Sequence, residues 1–124
     1  MVGYLIVTGI IFLLVGLRAL LKPLEAVATP YELQGESTDA KHYLRSGAGG
    51  VTIACGVVMV TGGFVPSLTF AALVVSVTVL GGLLFGRLVS RVLDGSPGIV
   101  AWVSGVVELI GFVLGAYWLW HGVA

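Results

Sequence analysis

Apolar residues run almost unbroken through four stretches of the chain, each near the ~20 residues a helix needs to cross a hydrocarbon core. The first is Val2 to about Leu21, interrupted only by Arg18. The second runs from about Gly47 to Val65, the third from about Ser67 to Leu88, and the fourth from Ile99 to Trp120. None alternates polar and apolar residues at every second position, as barrel strands would. The pattern predicts an all-α polytopic membrane protein, a four-transmembrane-helix antiparallel bundle. Residues 1–124 then form one domain, with a cytoplasmic loop at 22–46.

Local signals place the helix ends. Ser96-Pro97 reads as an N-cap followed by proline at the first helical position. Ser37 or Thr38 can cap a helix that enters the membrane only after Arg45. Gly62-Gly63-Phe64-Val65-Pro66 predicts a tight turn, making helices two and three an antiparallel hairpin. Ala26-Val27-Ala28 has the look of a signal-peptide cleavage site. However, no basic residue precedes the first apolar run, and Arg18 and Lys22 follow it, so it is read as a retained span.

Composition narrows the class. The 124 residues are 58% hydrophobic and 10% charged, with 19 glycines and a mean hydropathy of +1.12. A soluble domain carries about 25% charged residues, and a single small domain cannot hide so much apolar surface. A net charge of zero with no basic excess argues against a nucleic-acid partner. Cys55 is the single cysteine, which leaves no disulfide, no CxxC pair, no zinc cluster and no haem attachment; it reads as a small packing residue. His42 and His121 fall on opposite sides of the membrane in this topology. No cofactor, metal or catalytic residue is expected.

Charge sets the expected orientation. Arg18, Lys22, Lys41 and Arg45 flank the first connection, and Arg87 and Arg91 flank the third. The N-terminal stretch, the second turn and the C-terminal stretch carry no Lys or Arg. By the positive-inside rule both long connections are cytoplasmic and the topology is N-out, C-out. Tyr4, Phe64, Trp118 and Trp120 supply an aromatic belt on the far side, and Trp102 stands near the cytoplasmic one.

In lipid, helices associate by close packing over small residues. Gly9 and Gly16 share a face of helix one, and Arg45, Gly49, Thr52, Gly56, Met59 and Gly63 form a stripe on helix two. Gly82 with Gly86, and Gly111 with Gly115, are small-xxx-small pairs. On helix four, Ala101, Ser104, Gly105, Glu108, Gly111 and Gly115 should meet helices, while Trp102, Val106, Ile110, Val113 and Tyr117 meet lipid.

Glu108 is the one acid deep in a span, about 13 Å in from Ile99. An ionised carboxylate there is costly, so intramembrane acids are functional candidates by default. Two readings stay open: a functional acid, or a glutamate that ties helices together through Ser76, Thr52 or Ser104. Thr69, Ser76, Arg87, Arg91 and Asp94 fall along one stripe of helix three. Arg87 and Arg45 at the cytoplasmic mouth suit an anionic headgroup or carboxylate, although arginines at helix ends also serve orientation. With Arg87 near the boundary and Glu108 near the centre, a direct salt bridge requires the arginine to reach inward. Arg18 lies opposite Gly9 and Gly16 and reads as snorkelling to headgroups. The ligand-binding set is Glu108, Arg87, Arg45, Ser76 and Asp94.

The run Gly86-Arg87-Leu88-Val89-Ser90-Arg91-Val92-Leu93-Asp94-Gly95-Ser96-Pro97, with Glu108 eleven residues later, resembles the signature of domain-of-unknown-function family 4345, small four-helix bacterial membrane proteins. Leu44-Arg45-Ser46-Gly47-Ala48-Gly49-Gly50, and Gly16-Leu17 with Leu20 and Pro23, fit the same resemblance. It implies four helices, an inner-membrane location and a site near Arg87, Asp94 and Glu108, but no reaction. The outline is also similar to DoxX-like four-helix proteins, by topology alone.

Three functions compete. The favoured one is a non-enzymatic protein that binds a lipid or small amphiphile, or is accessory to another membrane protein. Its expected partners are membrane lipids and a homo-oligomer or partner membrane protein. The alternative is a small proton-coupled transporter acting as an oligomer, with Glu108 as carrier; no inverted repeat or proline-broken span supports it. An intramembrane enzyme using Glu108 lacks a second acid–base residue at that depth.

Overall fold

The computed structural model describes residues 1–31, 33 and 37–122. Four helices run up and down: α1 (Val2–Leu21), α2 (Thr38–Phe64), α3 (Thr69–Asp94, entered through a 3₁₀ turn at Pro66–Leu68) and α4 (Ile99–His121). All four are long and apolar enough to cross a membrane. Among the described residues there is no strand. The alternation creates a termini end, where α1 starts and α4 stops, and a loop end carrying both long connections.

The helix boundaries follow from local chemistry. Ser37 caps α2, its Oγ accepting from the Ala40 N–H at 3.0 Å, so the helix begins well before the apolar run at Gly47. Leu44–Gly50 within it is π-helical. The five-residue turn expected at Gly62–Pro66 is instead much shorter. Gly62, Gly63 and Phe64 stay helical, and only Val65 is extended (φ −111°, ψ 105°) before the 3₁₀ turn. The buried Thr69 hydroxyl donates to the Gly62 carbonyl at 2.8 Å, satisfying a C-terminal acceptor of α2 and holding that last turn in place.

α3 runs on to Asp94, six residues past the end of its apolar span at Leu88 and through the stripe positions Arg91 and Asp94. It stops at Gly95, whose φ of +92° and ψ of −164° only glycine adopts without strain. α4 starts after Gly98, with no side-chain cap. Ser96 and Pro97 therefore precede the helix rather than forming its N-cap and first position. Between α1 and α2 the chain makes a π-helical turn, Leu24–Ala28. Glu32, Gly35 and Glu36 lie outside the described residues.

The tightest seam joins α1 to α2. A Cβ at Gly9 would stand 2.9 Å from the Val60 backbone nitrogen and 3.0 Å from the Gly56 oxygen; one at Gly16 would stand 2.9 Å from the Ile53 nitrogen and 3.0 Å from the Gly49 oxygen. These glycines let the two backbones touch, and Arg18 on the opposite side is exposed, as the periodicity predicts. α3 packs on α2 and α4 on α3. α4 is the outermost: 6% of its most apolar window is buried, against 22% for each of the others.

Gly111 and Gly115 face inward, against Leu80 and against Val77 and Tyr4. Gly82 and Gly86 do not pack as expected; neither has an atom within 4 Å of where a Cβ would stand. The packed edge of α3 runs through Ser76, Val77, Leu80 and Gly81, with Gly81 against Phe112, and this register turns the other two glycines outward. At the termini end Leu5, Ala72 and Leu73 form the buried core, with Met1, Tyr4, Trp118 and Leu119 packed around it.

Candidate functional site

α3 carries Arg87 seven residues before its end and α4 carries Glu108 nine residues after its start. At 1.5 Å per residue both lie about 10–14 Å from the loop end of the bundle. The extension of α3 to Asp94 brings the arginine to the depth of the carboxylate. The two meet directly: Arg87 Nε donates to Glu108 Oε2 at 2.6 Å and Nη2 to Oε1 at 2.9 Å. This bidentate fork is the strong, directional form of the ion pair. Their side chains are 29% and 16% exposed. Arg87 Nη1 also approaches the Ala101 carbonyl, at 3.4 Å. Gly105, one turn before Glu108, leaves space for the stem; a Cβ there would stand 3.4 Å from Arg87 Cδ.

The partner expected for Glu108 among Ser76, Thr52 or Ser104 is thus replaced by Arg87, which stands at nearly the same depth. Ser76 sits toward the termini end, fully buried, 2.7 Å from the Tyr4 hydroxyl. Tyr4 in turn donates to the Gly111 carbonyl at 2.8 Å. Arg45 turns away from Arg87 and donates from Nη1 to the Leu20 carbonyl at the C-terminus of α1. Asp94 is exposed and accepts from Ser90 Oγ at 2.9 Å. Of the five candidates, then, only Arg87 and Glu108 come together.

Beside the pair a cavity of about 500 Å³ opens between α3 and α4. Its deep wall is Leu84, Val106 and Leu109, and its mouth is Arg91, Gly95 and Pro97; Leu88 and Trp102 line it between. Tyr31, from the connection after α1, also lines it and donates to Ser104 Oγ at 3.3 Å. Among the described residues two arginines border the cavity and no acid does. Tyr31 was not legible in advance: an aromatic in a polar connection carries no periodic signal for what it covers. Among the described residues no cluster of His, Cys, Asp and Glu is arranged to hold a metal.

No curated protein and no solved structure matches the chain. One family model does, over residues 2–119, a span that holds α1, α2, α3, the Arg87–Glu108 pair, the cavity and all of α4 but its last two residues. The chain belongs to the family described as Domain of unknown function (DUF4345), and is a small multi-pass membrane protein.

Proposed function

We propose that this protein is a non-enzymatic binding protein of the bacterial inner membrane, taking a lipid or small amphiphile into the cavity between α3 and α4. One observation carries the reading: a cavity of ligand size, about 500 Å³, apolar toward the bundle centre, bordered by Arg87 and with Arg91 at its mouth. The whole chain acts as one four-helix unit, N-out and C-out, with the loop end cytoplasmic. All the Lys and Arg lie toward that end. The Glu108 carboxylate beside the cavity is engaged on both oxygens by the Arg87 fork. That favours binding over proton carriage, which requires an acid free to cycle between two protonation states.

Native mass spectrometry in a mild detergent tests this reading. The protein should retain a stoichiometric amphiphile, and Leu84→Trp, which fills the deep wall, should abolish retention while leaving the helical circular-dichroism spectrum intact. Bare protein, or retention indifferent to Leu84→Trp, overturns it.

A further inference from the structure

We infer that the amphiphile is a single-chain carboxylate, a long-chain fatty-acid anion, with its head between Arg91 and the start of α4 and its tail along Leu84 and Leu109. The inference rests on the binding reading above and specifies its ligand.

Charge complementarity selects the head. Arg87 is neutralised by Glu108, so it adds hydrogen-bond donors but little net charge. Arg91, one turn further along α3 at the mouth, has no carboxylate within ion-pair distance among the described residues. Asp94, the nearest acid on that helix, is engaged by Ser90 instead. The α4 N-terminus opens on the same mouth without a side-chain cap, so its free amides and positive dipole end remain uncompensated. The mouth thus offers the Arg91 guanidinium, held by no carboxylate among the described residues, beside free helix amides, a donor set matched by a mono-anion. A guanidinium fork suits a carboxylate in particular.

Shape selects the tail. From Gly95 at the mouth to Leu84 at depth the cavity follows α3 for eleven residues, or about 16 Å. It lies between α3 and α4 with Tyr31 at its side, and its volume of about 500 Å³ suits one chain.

The test is competition on the purified full-length protein, read by native mass spectrometry and by displacement of a fluorescent fatty acid. Oleate should bind, the uncharged glyceride monoolein should bind at least about tenfold more weakly, and phosphatidylglycerol should fail to displace oleate. Arg91→Gln, on an exposed position, should remove the preference for oleate over monoolein. Arg91→Glu should transfer it to a long-chain amine. Equal binding of oleate and monoolein by the native protein overturns the anionic head while leaving the amphiphile reading standing. Displacement of oleate by phosphatidylglycerol overturns the single chain. Binding of none of the three overturns both the inference and the reading beneath it.

Discussion

Arg87 and Glu108 lie twenty-one residues apart in the chain, yet share one plane of contact, two parallel N–H···O bonds of 2.6 and 2.9 Å between neighbouring helices. Each ion alone in that half-buried place is expensive, and each is tolerable because the other is there.

Removing one partner should therefore cost more than removing both. Arg87→Met leaves Glu108 uncompensated and should destabilise the protein by about 3 kcal/mol, whereas Arg87→Met with Glu108→Leu should recover most of that loss. Arg87→Lys, which cannot form the fork, should fall between native and Arg87→Met. Denaturant titration in mild detergent, followed by circular dichroism, measures these four proteins together with Glu108→Leu alone, which closes the cycle. Additive single losses would show that the contact carries no coupling.

The α1–α2 seam is a second place where one atom matters. At Gly9, Gly16 and Gly56 an added methyl meets backbone atoms of the facing helix at 2.8–3.0 Å, and backbone cannot swing aside. Each alanine substitution should cost about 1–3 kcal/mol. Gly82→Ala and Gly86→Ala meet nothing within 4 Å and should be neutral or slightly stabilising. Thermal unfolding of the five variants side by side separates the two groups. Loss of stability at Gly86 equal to that at Gly16 would mean that α3 has an unrecognised neighbour there.

Tyr4 links α1 to both α3 and α4 through one hydroxyl, bonded to Ser76 Oγ and the Gly111 carbonyl. Tyr4→Phe keeps the ring and removes only that oxygen, so it should cost about 1 kcal/mol, the scale of an interhelical hydrogen bond in a membrane protein. Faster hydrogen exchange should follow at the termini end of α4 and not at Arg91 or Asp94. Uniform acceleration along α4 would contradict a local tie.

The four helices were legible in the sequence because hydropathy over 20 residues is a bulk property that packing does not alter. The inward face of α4 was legible too, since glycines and one acid at helical spacing leave little choice. What failed depended on register. The apolar span ends at Leu88, where Arg87 and Arg91 mark a boundary in hydropathy, but the helix continues through its charges until its backbone is broken at Gly95. Measured from that apolar boundary Arg87 stands shallower than Glu108; measured from the helix ends the two share a depth and meet directly. Gly82 and Gly86 satisfied the small-residue motif on the wrong side of α3, since spacing shows that two glycines share a face but not which neighbour the face meets. Tyr4 was read as a headgroup-level aromatic. Its hydroxyl partners lie 72 and 107 residues away, beyond the reach of any local pattern.

The π-helical stretch Leu44–Gly50 in α2 has a bearing on how this chain tolerates changes in length. A π turn accommodates a residue more than an α turn over the same rise, so this stretch behaves as a stored insertion. Deleting one residue there converts the segment to α geometry and leaves Gly56 and Met59 aimed as before. The same deletion beyond Val51 rotates everything on one side of it by about 100° and turns the glycines away from Gly9. Natural variation in the length of this helix should accordingly gather between Leu44 and Gly50, and be absent from the seam below.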